Sequence, residues 1–342
     1  MKRGDVRWLK NVRLIWLILI VLIGGAAIYA VREVVRKPPT ARSGPIVIEA
    51  RQLVLDSSAP ERTRLGALHF LGAWQLESPN RSFGGLSALA VRPDGAMLAF
   101  NDDGVAFAIP QPGVPGMGMV TRLPLAPLAK HRETRQYDSE ALAIDPATGK
   151  IWIGYELLQR ICRFSSDFGK AERCRDWPEM KDWPVTKSIE AMARLPDGRF
   201  LVISEGAVTN GNGRETLLFA GDPAAADTPH PVRMTYVPPI GYDPTDAVWI
   251  GKDRLLVLNR RATLYDGFTA IITLVDIKGM KQGAVLQASE VARLAPPVLA
   301  DNFEGMALEY KDGQRILWLV SDDNFLFFQR TLLLKFALPE RF

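Results

Sequence analysis

The sequence predicts an all-β fold, a β-propeller, preceded by one N-terminal transmembrane helix. Three observations support this prediction. A pattern of two apolar runs joined by Asp-Gly or a similar turn recurs five times between residues 85 and 324. Residues 14–31 contain no charged side chain. The rest of the chain consists of short apolar runs separated by Gly, Pro and Asp, as expected for many paired strands.

The N-terminal region divides into three parts. Residues 1–13 form a short basic tail, and residues 32–44 form a linker that is also basic. Between them, residues 14–31 (LIWLILIVLIGGAAIYAV) are long enough to cross ~30 Å of hydrocarbon as a helix. We expect a single-pass anchor in the lipid bilayer of a bacterial inner membrane, with the main domain, residues 45–342, in the periplasm. The alternative is a signal peptide that is cleaved after export.

Charge is distributed unevenly along the chain. The formal net charge is +4 and the pI is near 9.0. Residues 1–13 carry +4 and residues 32–42 carry +3, which leaves −3 for residues 43–342. A domain that binds nucleic acid normally has a basic surface of its own. The slightly acidic main domain therefore argues against a nucleic-acid partner.

The internal repeat predicts the blades of the propeller. Equivalent positions in successive copies lie 50–58 residues apart, a spacing that suits blades of four strands. Within each copy, a PDG, KDG or similar turn separates two apolar runs, because Pro and Asp favour the start of a turn and Gly permits a positive φ. The five copies are GLSALAVRPDGAMLAFNDD (85–103), SEALAIDPATGKIWIGYE (139–156), IEAMARLPDGRFLVISE (189–205), TDAVWIGKDRLLVLNR (245–260) and FEGMALEYKDGQRILWLVSDDN (303–324).

The last repeat is short of one strand. After its first two strands it supplies only TLLLKFAL (331–338) before the chain ends. We expect residues 65–76 (LGALHFLGAWQL) to complete it, because a closed ring leaves no exposed sheet edge. Residues 46–56 (IVIEARQLVLD) also predict a strand and leave room for a sixth blade.

One position near the start of each repeat is acidic in four of the five copies. The first strand of a propeller blade lines the central channel, and every second side chain of a strand points to the same face. Hard cations such as Ca²⁺ take six to eight oxygen ligands. We therefore predict a divalent-cation site, with Ca²⁺ as the expected ion; the alternatives are acids that accept backbone hydrogen bonds within their own blades, or general acid–base catalysis. The equivalent positions are Ser87, Glu140, Glu190, Asp246 and Glu304.

A second polar set follows the second strand of each repeat. Asp322 and Asp323 are further candidate metal ligands, while Arg260 and Arg261 suit a phosphate or carboxylate held by a bidentate fork. Solvated or ion-paired arginines are the alternative. The sequence does not determine which members of the set lie together. The set comprises Asn101, Asp102, Asp103, Tyr155, Glu156, Glu205, Asn259, Arg260, Arg261, Asp322, Asp323 and Asn324.

The chain contains two cysteines, Cys162 and Cys174. A hairpin with its turn centred at residue 168 places the two directly opposite each other, with Cβ atoms about 4.5–5.5 Å apart. That separation permits a disulfide, and disulfides persist outside the reducing cytosol. Two unpaired thiols are the alternative.

The repeat motifs resemble the phytase-like domain family, described as "esterase-like activity of phytase". GGLSALAVRPDG, DSEALAIDPATGKIWIGYE and DNFEGMALEYKDGQRILWLVSDDNF are the segments that carry the resemblance, and Ala88 stands where the family usually has Gly. The resemblance implies a β-propeller, commonly of six blades, that binds calcium and hydrolyses esters.

Two functional classes remain. The first is a metal-dependent hydrolase of phosphate or carboxylate esters acting on a small-molecule substrate. The second is a non-catalytic propeller that binds a ligand or partner. The sequence contains no GxSxG nucleophile motif and no HExxH motif, which disfavours a serine hydrolase and a zinc protease.

Overall fold

The computed structural model describes residues 41–92, 94–124 and 138–342. Apart from one 3₁₀ turn, Pro178–Met180, its regular elements are β-strands. Within these residues, no helix is long and apolar enough to cross a membrane. The predicted anchor at residues 14–31 lies outside the described residues.

The described residues form five antiparallel units of four strands, which we call blades 1 to 5 in chain order. The inner strands contact one another in a closed ring, in the order β5, β9, β13, β17, β21 and back to β5. Their bounds are β5 (Leu86–Val91), β9 (Ser139–Ile144), β13 (Ile189–Arg194), β17 (Asp243–Gly251) and β21 (Phe303–Lys311).

Each inner strand pairs with a second strand, and a third and fourth follow outward. The second strands are β6 (Met97–Asn101), β10 (Ile151–Tyr155), β14 (Phe200–Val208), β18 (Arg254–Thr263) and β22 (Gln314–Ser321). The third are β7 (Val105–Ile109), β11 (Arg160–Phe164), β15 (Arg214–Phe219), β19 (Gly267–Asp276) and β23 (Leu332–Ala337). The fourth are β8 (Gly118–Arg122), β12 (Ala171–Asp176), β16 (Val232–Val237), β20 (Val285–Leu294) and, in blade 5, β4 (Leu68–Glu77).

Blade 5 is completed from the start of the domain, as the sequence predicts. Strand β4 pairs antiparallel with β23, so that Trp74 lies opposite Leu333. Residues 46–56 do not build a sixth blade. Strand β1 (Gly44–Ile46) extends blade 1, whereas β2 (Glu49–Leu53) extends blade 5, and a short β3 (Arg64–Leu65) pairs with β4.

The core consists of five apolar clusters, one between each pair of neighbouring blades. Trp152 of blade 2, for example, packs against Phe200 of blade 3 with ring centroids 4.9 Å apart. Both faces of a middle strand therefore face apolar neighbours. This explains why IWIGY and LLVLN are nearly continuous apolar runs rather than alternating ones.

The predicted disulfide is present. Cys162 of β11 and Cys174 of β12 are directly opposed in the antiparallel register, with Cα atoms 4.0 Å apart, and are bonded. The bond lies within blade 2, where it links the third strand to the fourth.

Candidate functional site

Every inner strand carries a β-bulge near its start. In blade 3, Ile189 pairs with Ser204 and Ala191 pairs with Ile203, so Glu190 is the extra residue without a cross-strand partner. A bulge re-aims the side chain of its extra residue, and bulges are over-represented next to active sites. We call these extra residues the bulge positions; in chain order they are Ser87, Glu140, Glu190, Thr245 and Glu304.

A second set of equivalent residues lies beside the bulge positions. Because an inner strand and its second strand are antiparallel, the start of one adjoins the end of the other. Phe303, just before the blade 5 bulge, pairs with Ser321, and Asp322 comes next along the chain. The equivalent residues, which we call the strand-end positions, are Asp102, Glu156, Glu205, Arg260 and Asp322.

Blade 4 departs from the pattern of the other blades. Its bulge position holds Thr245 rather than Asp246, and its strand-end position holds Arg260 where the other four blades have an acid. Asp246 is one residue beyond the bulge, and its carboxylate accepts hydrogen bonds from the backbone N–H groups of Ala247 (2.7 Å) and Met306 (2.6 Å). The bond from Ala247 lies within blade 4, as the backbone-bonding alternative predicts, whereas the bond from Met306 links blade 4 to blade 5.

The two sets meet around a cavity of about 490 Å³ at one end of the channel, which we call the channel mouth. Three of the four predicted ring acids, Glu140, Glu190 and Glu304, line it, whereas Asp246 is not among its lining residues. Among the residues that the structure describes, seven carboxylates and two cations line it. The acids are Asp102, Glu140, Glu156, Glu190, Glu205, Glu304 and Asp322, and the cations are Lys187 and Arg260.

The two cations are placed on one side of the mouth. Glu205 accepts hydrogen bonds from Lys187 Nζ (3.0 Å) and from an Arg260 terminal nitrogen (3.2 Å). Arg260 Nε lies 3.6 Å from Glu304 Oε1, beyond hydrogen-bonding distance. Glu304 Oε1 also accepts a hydrogen bond of 2.9 Å from the amide nitrogen of Asn302.

Burial and the charges of neighbouring carboxylates raise the pKa values of several acids of the mouth. Desolvation is the largest cause in each case, because it disfavours the charged form, and the charges of neighbouring carboxylates add to it. Desolvation and the charge of Glu304 raise the pKa of Asp102 to about 7, although its side chain is partly exposed. Desolvation and the charge of Asp138 raise the pKa of Glu156 to about 8.

Three further acids of the mouth follow the same rule. Desolvation and then neighbouring carboxylates hold the pKa values of Glu140, Glu190 and Asp322 well above the usual range. Burial alone would lower the pKa of Arg260, but the charges of the surrounding acids, led by Glu304, raise it. The mouth therefore favours positive charge, whether as protons or as a bound cation.

Two groups of carboxylates have the spacing of a metal site. The ligand oxygens of Asp102, Asp138 and Glu140 lie within 4.8 Å of one another, and so do those of Glu156, Glu190 and Glu205. Oxygens bound to one Ca²⁺ are separated by at most about 5 Å, since each lies 2.3–2.6 Å from the ion. All of these donors are carboxylate oxygens, the type that hard cations prefer. The residues present therefore fit a divalent cation.

Asp323 and Arg261, the other two candidate ligands, are not among the residues that line the cavity. Asp323 accepts hydrogen bonds from the backbone N–H groups of Gly85 and Phe325 and from the hydroxyl of Thr331, so it holds a loop. Arg261 pairs with Asp266 at 2.7 Å and does not share a fork with Arg260.

Several residues of the site were not singled out from the sequence. Asp138 directly precedes β9, outside the repeated acidic position, so the repeat does not predict it as a ligand. Buried polar atoms without a hydrogen-bond partner include Asn302 Oδ1 and both amide atoms of Gln329, and both residues line the mouth. A buried polar group normally has a partner, so these atoms can hydrogen-bond a ligand or a water molecule in the mouth.

A protein-family model described as "Phytase-like: Esterase-like activity of phytase" matches residues 81–325, well over half of the chain. No curated protein sequence matches the chain.

Solved structures with a similar arrangement have little sequence in common with the chain. The Cps50 (Swd1) β-propeller domain of Myceliophteria thermophila is 8% identical, with a TM-score of 0.38, over 84% of this chain and 99% of that chain. Hydrazine synthase of Kuenenia stuttgartiensis is 12% identical, with a TM-score of 0.38, over 70% and 77% of the two chains. Identities this low support no statement about activity.

Proposed function

The chain belongs to the phytase-like family, and we propose that it is a metal-dependent hydrolase of phosphate or carboxylate esters with its site at the channel mouth. The observation that carries the proposal is the pair of carboxylate groups on the two sets of equivalent positions. Ca²⁺ is the proposed cation and a small ester the proposed substrate.

The Asp102–Asp138–Glu140 group is the better of the two cation sites. Among the described residues, both cations of the mouth contact Glu205 and so partly neutralise the other group. The charged neighbours that act most strongly on Glu140 are carboxylates, led by Asp102. When bound, a divalent cation would polarise an ester oxygen or favour deprotonation of a water molecule.

The other residues of the mouth can bind the substrate, orient it or hold a proton. Arg260 Nε is buried without a hydrogen-bond partner and can donate to an anionic oxygen of the substrate. Asn302 Oδ1 and the amide of Gln329 can orient its hydroxyl groups. Glu156, with its pKa near 8, keeps its proton at neutral pH and is a candidate acid for the leaving oxygen.

We further propose that residues 14–31 anchor the protein in the bacterial inner membrane, with the propeller in the periplasm. The charge-free apolar run supports the anchor. The disulfide supports export, because such bonds persist in oxidising compartments.

A ligand-binding propeller without catalysis is the second candidate. The observation that favours it is the set of unpartnered amide atoms on Asn302 and Gln329, which suit recognition rather than chemistry. One experiment separates the two functions: metal analysis of the purified chain together with a screen of phosphate and carboxylate esters.

The matched variants for that screen are Glu140→Gln at the site and Glu61→Gln on the exposed surface. A hydrolase requires an activity that depends on Ca²⁺, that Glu140→Gln abolishes and that Glu61→Gln retains. Metal binding without hydrolysis of any ester favours the binding function, and absence of bound metal refutes the cation site.

A further inference from the structure

The large apolar side chains with the greatest exposure lie at one end of the propeller. Among the described residues these are Leu264 (110% exposed), Tyr265 (97%), Ile240 (89%) and Phe327 (82%). Phe328 is 62% exposed and packs edge-on against Phe327. We call these five residues the apolar rim. Clustered exposed apolar residues beside a polar site mark an interaction surface.

The apolar rim borders the channel mouth. Leu264 and Tyr265 occupy the turn between β18 and β19, and the flanking residues Ala262 and Phe268 line the mouth. Phe327 and Phe328 lie between β22 and β23, where the flanking Leu326 and Gln329 also line it. Both loops therefore border the same opening.

The fifth rim residue, Ile240, lies in the loop between β16 and β17, and Arg261 links this loop to the β18–β19 turn. Its guanidinium lies 4.9 Å from the centre of the Tyr242 ring and pairs with Asp266 at 2.7 Å. The loop that carries Ile240 is thereby held beside the turn that carries Tyr265. Arg261 has a positioning role at the rim, next to Arg260 in the mouth.

The chain enters the propeller at this same end. Ser43 Oγ accepts a hydrogen bond from the backbone N–H of Arg122, at the end of β8. The next residue, Leu123, donates its N–H to the carbonyl of Gly104, two residues after Asp102 of the mouth. The segment that leads from the anchor therefore reaches blade 1 at the level of the channel mouth.

The tether is short relative to the propeller. Residues 32–40 separate the apolar run from the first described residue, and they span at most about 32 Å when fully extended. The nine residues of β17 alone extend over about 30 Å along the channel. If the opposite end of the propeller faced the bilayer, residues 32–40 would have to run along the full height of a blade. That distance is almost the whole length of the tether.

We propose that the channel-mouth end docks on the lipid bilayer, with the apolar rim in the headgroup region. The inference rests on the anchoring proposed above. The rim consists of Ile, Leu, Tyr and Phe side chains, and apolar and aromatic residues of this kind insert into the boundary between headgroups and acyl chains. A channel held against the bilayer takes its ligand from the membrane surface.

The test uses the full-length chain in vesicles of phosphatidylcholine and phosphatidylglycerol. Single cysteines are introduced as Tyr265→Cys and Phe327→Cys, and the matched control is Tyr310→Cys. Tyr310 is also exposed (62%) but lies near the β21–β22 turn, at the opposite end of that hairpin from the mouth. Each is labelled with a polarity-sensitive fluorophore while Cys162 and Cys174 remain bonded.

Doxyl-labelled phosphatidylcholine in the vesicles should quench the probes at positions 265 and 327 and leave the probe at 310 unchanged. Equal quenching at all three positions, or none at the rim in a chain that floats with the vesicles, would overturn the docking but leave the anchor intact. Rim probes shielded from aqueous iodide yet untouched by the lipid quencher would show that protein covers the rim, which also overturns it. A chain that does not float overturns the anchor itself.

Discussion

Arg260 is the residue whose replacement should most disturb the stability of the channel mouth. It occupies the strand-end position that is acidic in the other four blades, and it contacts Glu205 (3.2 Å) and Glu304 (3.6 Å). Its side chain is 22% exposed, and those of Glu205 and Glu304 are 5% and 13% exposed. Arg260→Gln removes the positive charge but leaves the acids buried.

Removing one partner of a buried ion pair costs about 3–5 kcal/mol, because the remaining charge has no compensation. We expect Arg260→Gln to lose that amount of unfolding free energy at pH 8 without divalent cation. Arg261→Gln is the matched control: its ion pair with Asp266 is 31% and 40% exposed, and exposed pairs contribute about 0–1 kcal/mol.

The loss of unfolding free energy in Arg260→Gln should depend on pH. The folded-state pKa values of Asp102 and Glu156 are raised to about 7 and about 8, so between the ordinary values and these the folded chain holds more protons than the unfolded chain. Protonation removes the repulsion that Arg260 offsets. The loss in Arg260→Gln should therefore be smaller at pH 5 than at pH 8.

Urea unfolding of the full-length chain in detergent, followed by tryptophan fluorescence at both pH values, measures these differences. A loss at pH 8 no larger than that of Arg261→Gln would refute the reasoning. So would a loss at pH 5 that equals the loss at pH 8, because acids with ordinary pKa values are ionised at both pH values.

The remaining predictions concern other parts of the chain. The metal-free wild type should lose stability as pH rises from about 5 to about 8, and Glu156→Gln should flatten that decline; an identical pH profile would contradict the raised pKa. Saturating Ca²⁺ at 100 times its Kd should stabilise the chain by about 2.7 kcal/mol, and a thermal melt unaffected by chelator would count against a bound ion. Removing the Cys162–Cys174 bond should cost about 3 kcal/mol, and thiol labelling of the unreduced, unfolded chain should find no cysteine. Intact mass should retain residues 14–31, whereas a mature chain starting near residue 31 would show cleavage.

The architecture was largely accessible from the sequence. The repeat predicts five blades, and the incomplete fifth copy predicts closure by the strand before the first repeat, observed as β4. The role of residues 46–56 could not be deduced, because a strand at an outer edge has no partner within its own repeat. They split between blades 1 and 5 instead.

The site was predicted only in part, and the error in blade 4 has a physical cause. Aligning the copies by their acids matched Asp246 to Glu190, whereas the bulge of β17 falls at Thr245. A shift of one residue along a strand reverses the face of the side chain, so Asp246 points to backbone N–H groups rather than to the mouth. Bulge positions follow from hydrogen-bond register, which the residue pattern alone does not reveal.

Hairpin geometry could have shown that the acids of the second set lie beside those of the first. The start of an inner strand and the end of its antiparallel partner must lie at the same end of a hairpin. Glu140 and Glu156 therefore had to be neighbours once the turn between their strands was recognised. The same pairing recurs in the other blades, and closure of the ring brings these acids together at the channel mouth.

The proposal of a cation at the channel mouth is tested most directly by calorimetric titration of Ca²⁺ into the chelator-treated, full-length chain and its Glu140→Gln variant. Saturable binding to the wild type that is lost in Glu140→Gln is the result that the Asp102–Asp138–Glu140 group predicts. No saturable binding to the wild type, or binding that is unchanged in Glu140→Gln, would contradict it.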